Sequence, residues 1–124
     1  MININSLLGF WKDPKGQWIQ IEPILNHTIN EKLEVREVFK GLKVTFASEK
    51  FSTVIGKVPC DKYYVDSLTI PMTQQQENGK VISEISQKIE IYDLFENDSN
   101  RLIKFKFMEN EYRCEEYPEV LFMP

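Results

Sequence analysis

The sequence predicts an all-β fold, an antiparallel up-and-down barrel or half-barrel of about eight to ten strands that opens with a short helical turn. Three observations carry this. Apolar residues recur with period two through most of the 124 residues, which puts alternate side chains on one face of a sheet. Turn-forming clusters interrupt the alternation at short intervals. No long stretch carries a 3.6-residue apolar stripe, and no long connection suggests a Greek-key crossover.

Asn3 to Leu8 is the best candidate for the helical turn, and Asn30 to Lys40 is a weaker second helix candidate. Leu8 to Lys12 reads as the first strand. Asp13-Pro14-Lys15-Gly16 turns the chain, with Pro14 fixing φ and Gly16 taking the left-handed position. Gln17 to Glu22 returns, with Ile19 and Ile21 on one face and Trp18 on the other. Pro23 ends or bends that strand. Leu33, Val35, Glu37 and Phe39 alternate with polar neighbours up to Gly41, which punctuates the run. Leu42, Val44 and Phe46 resume it before the short turn Ser48-Glu49-Lys50. Phe51, Thr53 and Ile55 continue as far as Gly56 and Pro59. Tyr63 to Ile70 is rich in β-branched and aromatic residues. Met72 to Gln76 leads into Asn78-Gly79, the strongest short-range hairpin signal. Alternate residues from Val81 to Ile91 line one face of a long strand, and Glu96 to Asn100 is a polar turn. Ile103, Phe105 and Phe107 face one way, Lys104 and Lys106 the other. Glu109-Asn110 turns again. Tyr112 to Glu116 and Val120 to Met123 are the last strands, broken by Pro118.

The length suits one domain over residues 1–124. A net charge of −4 argues against a nucleic-acid or anionic-membrane binder. One histidine and two cysteines leave no His-pair chemistry and no multi-Cys metal cage, so neither metal nor cofactor is expected. The first residues have neither the basic region nor the apolar stretch of a secretory signal. That leads us to expect a cytoplasmic chain with Cys60 and Cys114 as free thiols. His27 sits in a polar connection, away from any nucleophile-elbow or phosphate-loop pattern. The expectation is therefore that His27 is a surface or turn residue and that the chain is not an enzyme.

Leu8-Gly9-Phe10-Trp11 follows the candidate helical turn directly, and here the chain resembles the lipocalin and fatty-acid-binding (calycin) superfamily. That superfamily opens its barrel with a short helical turn and a Gly-x-Trp on the first strand. The resemblance implies that Gly9 and Trp11 close one barrel end and that an Arg from a late strand covers the indole. Arg113 is the first choice for that Arg and Arg101 the second. It also implies a role as carrier of a small hydrophobic ligand.

The negative charge is unevenly spread. Glu109, Glu111, Glu115, Glu116 and Glu119 stand against Arg113 alone, so this stretch accounts for the whole net charge of −4. Tyr112 and Tyr117 lie within it. Tyrosines among like charges suit a protein-binding surface, where aromatics anchor and charges steer. An acidic edge that resists aggregation is the plainer reading. Asp93, Glu96 and Asp98 are the second-choice acidic group, and Trp18, opposite Ile19 and Ile21, is a further contact candidate.

A small, acidic, motif-free β domain resembles in profile the immunity proteins of bacterial contact-dependent growth inhibition. The resemblance implies a partner: a cognate toxin, in many such systems a basic nuclease, with an RNase favoured, bound as a heterodimer. An acidic surface would cover its active site in place of nucleic acid. The alternatives are the calycin-like carrier and an adaptor that pairs through strand edges.

Overall fold

A computed structural model describes residues 1–48, 53–75 and 81–117. The chain is all-β with one helical turn, as the alternation predicts. Its elements are β1 (Ile2–Asn3), α1 (Ile4–Leu7), β2 (Gly9–Lys12), β3 (Trp18–Ile29), β4 (Val35–Ala47), β5 (Val54–Pro59), β6 (Tyr64–Val65), β7 (Leu68–Gln75), β8 (Val81–Glu96), β9 (Arg101–Phe107) and β10 (Asn110–Glu116). Eight strands close an antiparallel barrel in the order β10-β2-β3-β4-β5-β7-β8-β9. Apart from the β10–β2 pair that closes it, every neighbour within it is the next barrel strand in sequence, so the topology is up-and-down. β1 and β6 form a separate two-stranded sheet.

Local chemistry explains the joints. Asn3 caps α1, its side chain accepting from the Asn5 N–H. The Asp13 side chain accepts from the Lys15 and Gln17 N–H groups and so holds the first turn, with Gly16 at φ 91°. Met108 and Glu109 both have positive φ, as a two-residue primed hairpin turn requires. Asn97 ties the β8–β9 turn through bonds from Ser99 and Asn100.

Several boundaries differ from the sequence reading; among them, Tyr63 to Ile70 is divided between β6, outside the barrel, and β7. Pro23 does not end β3, which runs on to Ile29 paired with β4, with an irregularity in register just after it, between Ile24 and Leu25. Its other neighbour, β2, starts at Gly9 opposite Ile21, so Pro23 lies on an open edge where a missing N–H costs little. Asn30 to Lys40 is not a helix; from Val35 it is strand. The apolar parity change across Gly41 is taken up by a bulge in which Ile24 faces Gly41 while Leu25 faces Phe39, leaving Lys40 as the extra residue. The Asn78-Gly79 hairpin and the strand proposed for Val120 to Met123 lie outside the described residues.

The inward residues of β2 to β10 and two from α1 form one apolar cluster that includes Ile4, Leu7, Trp11, Phe46, Phe105 and Phe107. Among the described residues no helix is long and apolar enough to cross a membrane.

Candidate protein-binding site

The barrel end beneath α1 is shut by Trp11. Its indole is fully buried, and Nε1–H donates to the Leu7 carbonyl at 2.9 Å. Gly9 has φ 142°, a conformation that L side chains rarely adopt. Arg101, not Arg113, covers the ring, with its guanidinium 5.0 Å from the indole centroid. Arg101 also donates to the Ser6 carbonyl and pairs with Glu116 at 2.5 Å and Glu96 at 3.5 Å. Arg113 cannot take this place. It alternates with the inward Tyr112 and Cys114 and therefore points to solvent. Arg101→Met is expected to cost about 2 kcal/mol, since several charge-assisted bonds go at once. Arg113→Met should stay within about 0.5 kcal/mol. Urea denaturation of both tests this, and the reverse order would overturn it.

Aromatic side chains pack against one another inside the barrel. Phe46 meets the rings of Phe105, Phe107 and Tyr112 edge-on, with centroids 5.5, 5.5 and 5.1 Å away. Tyr112 stacks on Phe105 at 5.1 Å. Tyr112 is half-buried: its ring packs on the core, and it also lines an open depression at this end of the barrel. Burial raises its hydroxyl pKa, while a side-chain bond with Asn110 works the other way. The depression above it, lined by Asp13, Lys15, Gln17, Ser48 and Arg113 among others, is open to solvent.

Cys60 and Cys114 are free thiols. Burial, with Asp13 adding to it, pushes the Cys114 thiol from 9.0 up to about 12. The fold therefore favours the protonated thiol. That contribution is whole below about pH 9 and is lost as the pH rises through about 12. Unfolding free energy is expected to fall across this window, and less steeply in Cys114→Ala. Equal slopes for the two proteins would remove Cys114 as the cause.

The acidic C-terminal stretch looks different once folded. The Met108–Glu109 turn lays β10 against β9 so that Glu111 faces Lys106 and Arg113 faces Lys104. Lys106 Nζ is 3.9 Å from Glu111, and Lys104 Nζ is 3.6 Å from Asp93 on the other side. Glu115 is registered with Lys12 of β2. Glu96 and Glu116 are held by Arg101, Glu109 is in the turn, and Asp98 is in the β8–β9 turn. The outer face of β8-β9-β10-β2 thus mixes both signs: Glu111 lies beside Lys106, Asp93 beside Lys104 and Glu115 beside Lys12, while Lys104 also faces Arg113. Such exposed pairs contribute little stability each, but they cancel the field a uniform acidic strip would project. Glu119 lies outside the described residues. Tyr117 packs edge-on against Phe10, with Lys12 over its ring at 5.3 Å. Trp18 stacks on the same Phe10 at 5.2 Å and is half-buried.

A feature that strand counting missed stands beyond the barrel. From Ile24 to Ile29 and from Val35 to Lys40, β3 and β4 pair with each other past the point where β2 and β5 end. The result is a projecting two-stranded ribbon. Its cross-strand pairs Leu25/Phe39, His27/Glu37 and Ile29/Val35 continue the face that Ile19 and Ile21 present to the core. Phe39 packs against that core. The other apolar members do not: Leu25 is 40%, Ile29 67% and Val35 63% exposed. At the tip, Asn30 Oδ1 accepts from the Lys32 and Glu34 N–H groups. This fixes Leu33 at φ 61° with 82% of its surface exposed. A left-handed conformation costs an L residue roughly 1–2 kcal/mol, and the exposed Leu33 side chain gains little burial to repay it. His27 is exposed on the ribbon, 3.4 Å from Glu37. The sequence signal for the ribbon was the alternation of Leu33 to Phe39, which reads equally as an ordinary core strand.

No family model, no curated protein and no solved structure matches this chain. The closed eight-strand barrel with its helical turn is compatible with a calycin-like fold.

Proposed function

We propose that this chain is a protein-binding inhibitor of the immunity type, and that the β3–β4 ribbon is its contact element. One observation carries the reading: the inner apolar face of the sheet continues beyond the barrel and is left in solvent. Folded chains rarely keep such a stripe without a partner. The aromatic filling of the barrel turns the balance away from a carrier of small ligands. The acidic strand β10 serves the fold and its solubility more than recognition, because cations on β9 and β2 face its carboxylates. The partner is a cognate toxin domain; a basic nuclease is the class that the likeness in profile to immunity proteins favours. Inhibition of this kind works by occlusion and asks for no catalytic group.

The test joins Leu25 to Phe39 by Asn-Gly, a two-residue hairpin that keeps the barrel strands in register. The neighbouring reading frame supplies the toxin to be tried in co-expression. The full chain is expected to restore growth and to elute with the toxin domain as one complex. The shortened chain should melt like the parent yet lose both properties. A shortened chain that still protects would overturn the role of the ribbon.

A further inference from the structure

The ribbon also indicates what it receives. We infer that its inner face docks an amphipathic helix of the partner protein that carries a Lys or Arg at the centre of its apolar stripe. This rests on the protein-binding reading above and deepens it. The apolar rows Leu25/Phe39 and Ile29/Val35 are four strand residues apart, which is about 13 Å. On a helix, residues seven or eight apart span about 11–12 Å along one face. The residue between them, at the third or fourth position, then lies over the middle row, which is His27/Glu37.

Glu37 sets the chemistry of that residue. It is the one acidic group among these six side chains and pairs with His27 at 3.4 Å; Asp61 and Lys62, which line the depression beside it, offset each other. Covering the stripe would strip water from Glu37, and a carboxylate desolvated beside apolar rows needs a cation. A second copy of this chain fits poorly. Two ribbons packed face to face with their barrels at opposite ends bring Glu37 against Glu37 and His27 against His27. Arg36 and Lys40 do not help such a pairing, because Arg36 points to the opposite face and Lys40 is the bulged residue.

The experiment selects a phage-displayed library of one amphipathic helix, randomised along one face, on the immobilised full chain. Enriched helices are expected to carry apolar residues seven or eight apart with Lys or Arg between them. In fluorescence anisotropy, changing that cation to Glu should weaken binding about tenfold, and Glu37→Lys should reverse the preference. Ile29→Ser with Val35→Ser should abolish binding. These positions lie outside the barrel, so the variants should melt with the parent; if that pair does not, Val35→Thr alone serves. An empty selection, enrichment without a central cation, or binding indifferent to Glu37→Lys overturns the inference. So does a homodimer in sedimentation that is lost in the Ser variants. Each of these leaves the ribbon-dependent protection of the toxin assay standing. Helices selected as expected alongside failed protection would overturn the inhibitor reading alone.

Discussion

Trp11→Ala is expected to lower the unfolding free energy by about 3–5 kcal/mol, the range for removing a large aromatic from a packed core. Three losses coincide at this position. The indole is fully buried, so its removal leaves a void beneath α1. The Leu7 carbonyl loses its 2.9 Å bond from Nε1 in a buried place. The Arg101 guanidinium loses the ring on which it rests. The site is also where the barrel closes: among the described residues β10 and β2 are joined through two registered pairs, Glu115 with Lys12 and Glu116 with Trp11, and through the bond from Tyr117 N–H to the Phe10 carbonyl. A domain of this size has roughly 5–15 kcal/mol in all, so the loss takes much of it. Trp11→Phe keeps most of the apolar volume but not the N–H, and should cost less. Urea denaturation with near-ultraviolet circular dichroism reads both variants. A loss under about 1 kcal/mol in Trp11→Ala would mean that the end is held by α1 without the indole.

Most of the barrel was legible because period-two alternation is a local signal, and so were its turn residues. Gly9 and Trp11 were legible for the same reason: a φ that favours glycine and a plug residue are both tied to one place in the chain. The choice between Arg101 and Arg113 was not. It depends on parity, since Arg113 alternates with the inward Tyr112 and Cys114, whereas Arg101 starts β9 at the closed end. Parity on β10 is in turn set by the Met108–Glu109 turn, one residue away from the turn read at Glu109-Asn110. The same turn decides the electrostatics. Charge counted along the chain makes residues 109–119 an acidic block, but an antiparallel hairpin sets Lys104 and Lys106 beside it. The ribbon was hidden for a different reason. Pro23 reads as a stop wherever both edges of a strand are paired, and here one edge is free. How far β2 and β5 reach alongside β3 and β4 is a tertiary fact with no local signature. Leu25, Ile29 and Val35 are apolar in the core pattern, so sequence alone places them in a core that the barrel does not extend to cover.

Gly56→Val should be nearly as damaging as the loss of Trp11, at about 3 kcal/mol, for the opposite reason: a group added where there is no room. Gly56 lies on the inner face of β5, registered with Val44 on one side and Met72 on the other. A Cβ built there would sit 2.3 Å from the Pro71 carbonyl oxygen, 2.5 Å from the Met72 sulfur and 2.8 Å from Ile70 Cγ2. The Met72 thioether can swing aside. The Pro71 carbonyl belongs to the backbone of β7 and can retreat only if β7 moves away from β5. Those strands share three registered pairs, Val54 with Gln74, Ile55 with Thr73 and Gly56 with Met72. Relief at Gly56 therefore strains one of three pairs in a seam that a closed barrel cannot do without. Gly16→Ala is the control. Its added Cβ meets nothing within 4 Å, and the only cost is a φ of 91°, about 1 kcal/mol. Seam opening would expose the apolar filling around Phe46, so Gly56→Val should bind a hydrophobic dye under native conditions and Gly16→Ala should not. Equal urea midpoints for the two variants would show that β5 and β7 can separate without opening the barrel.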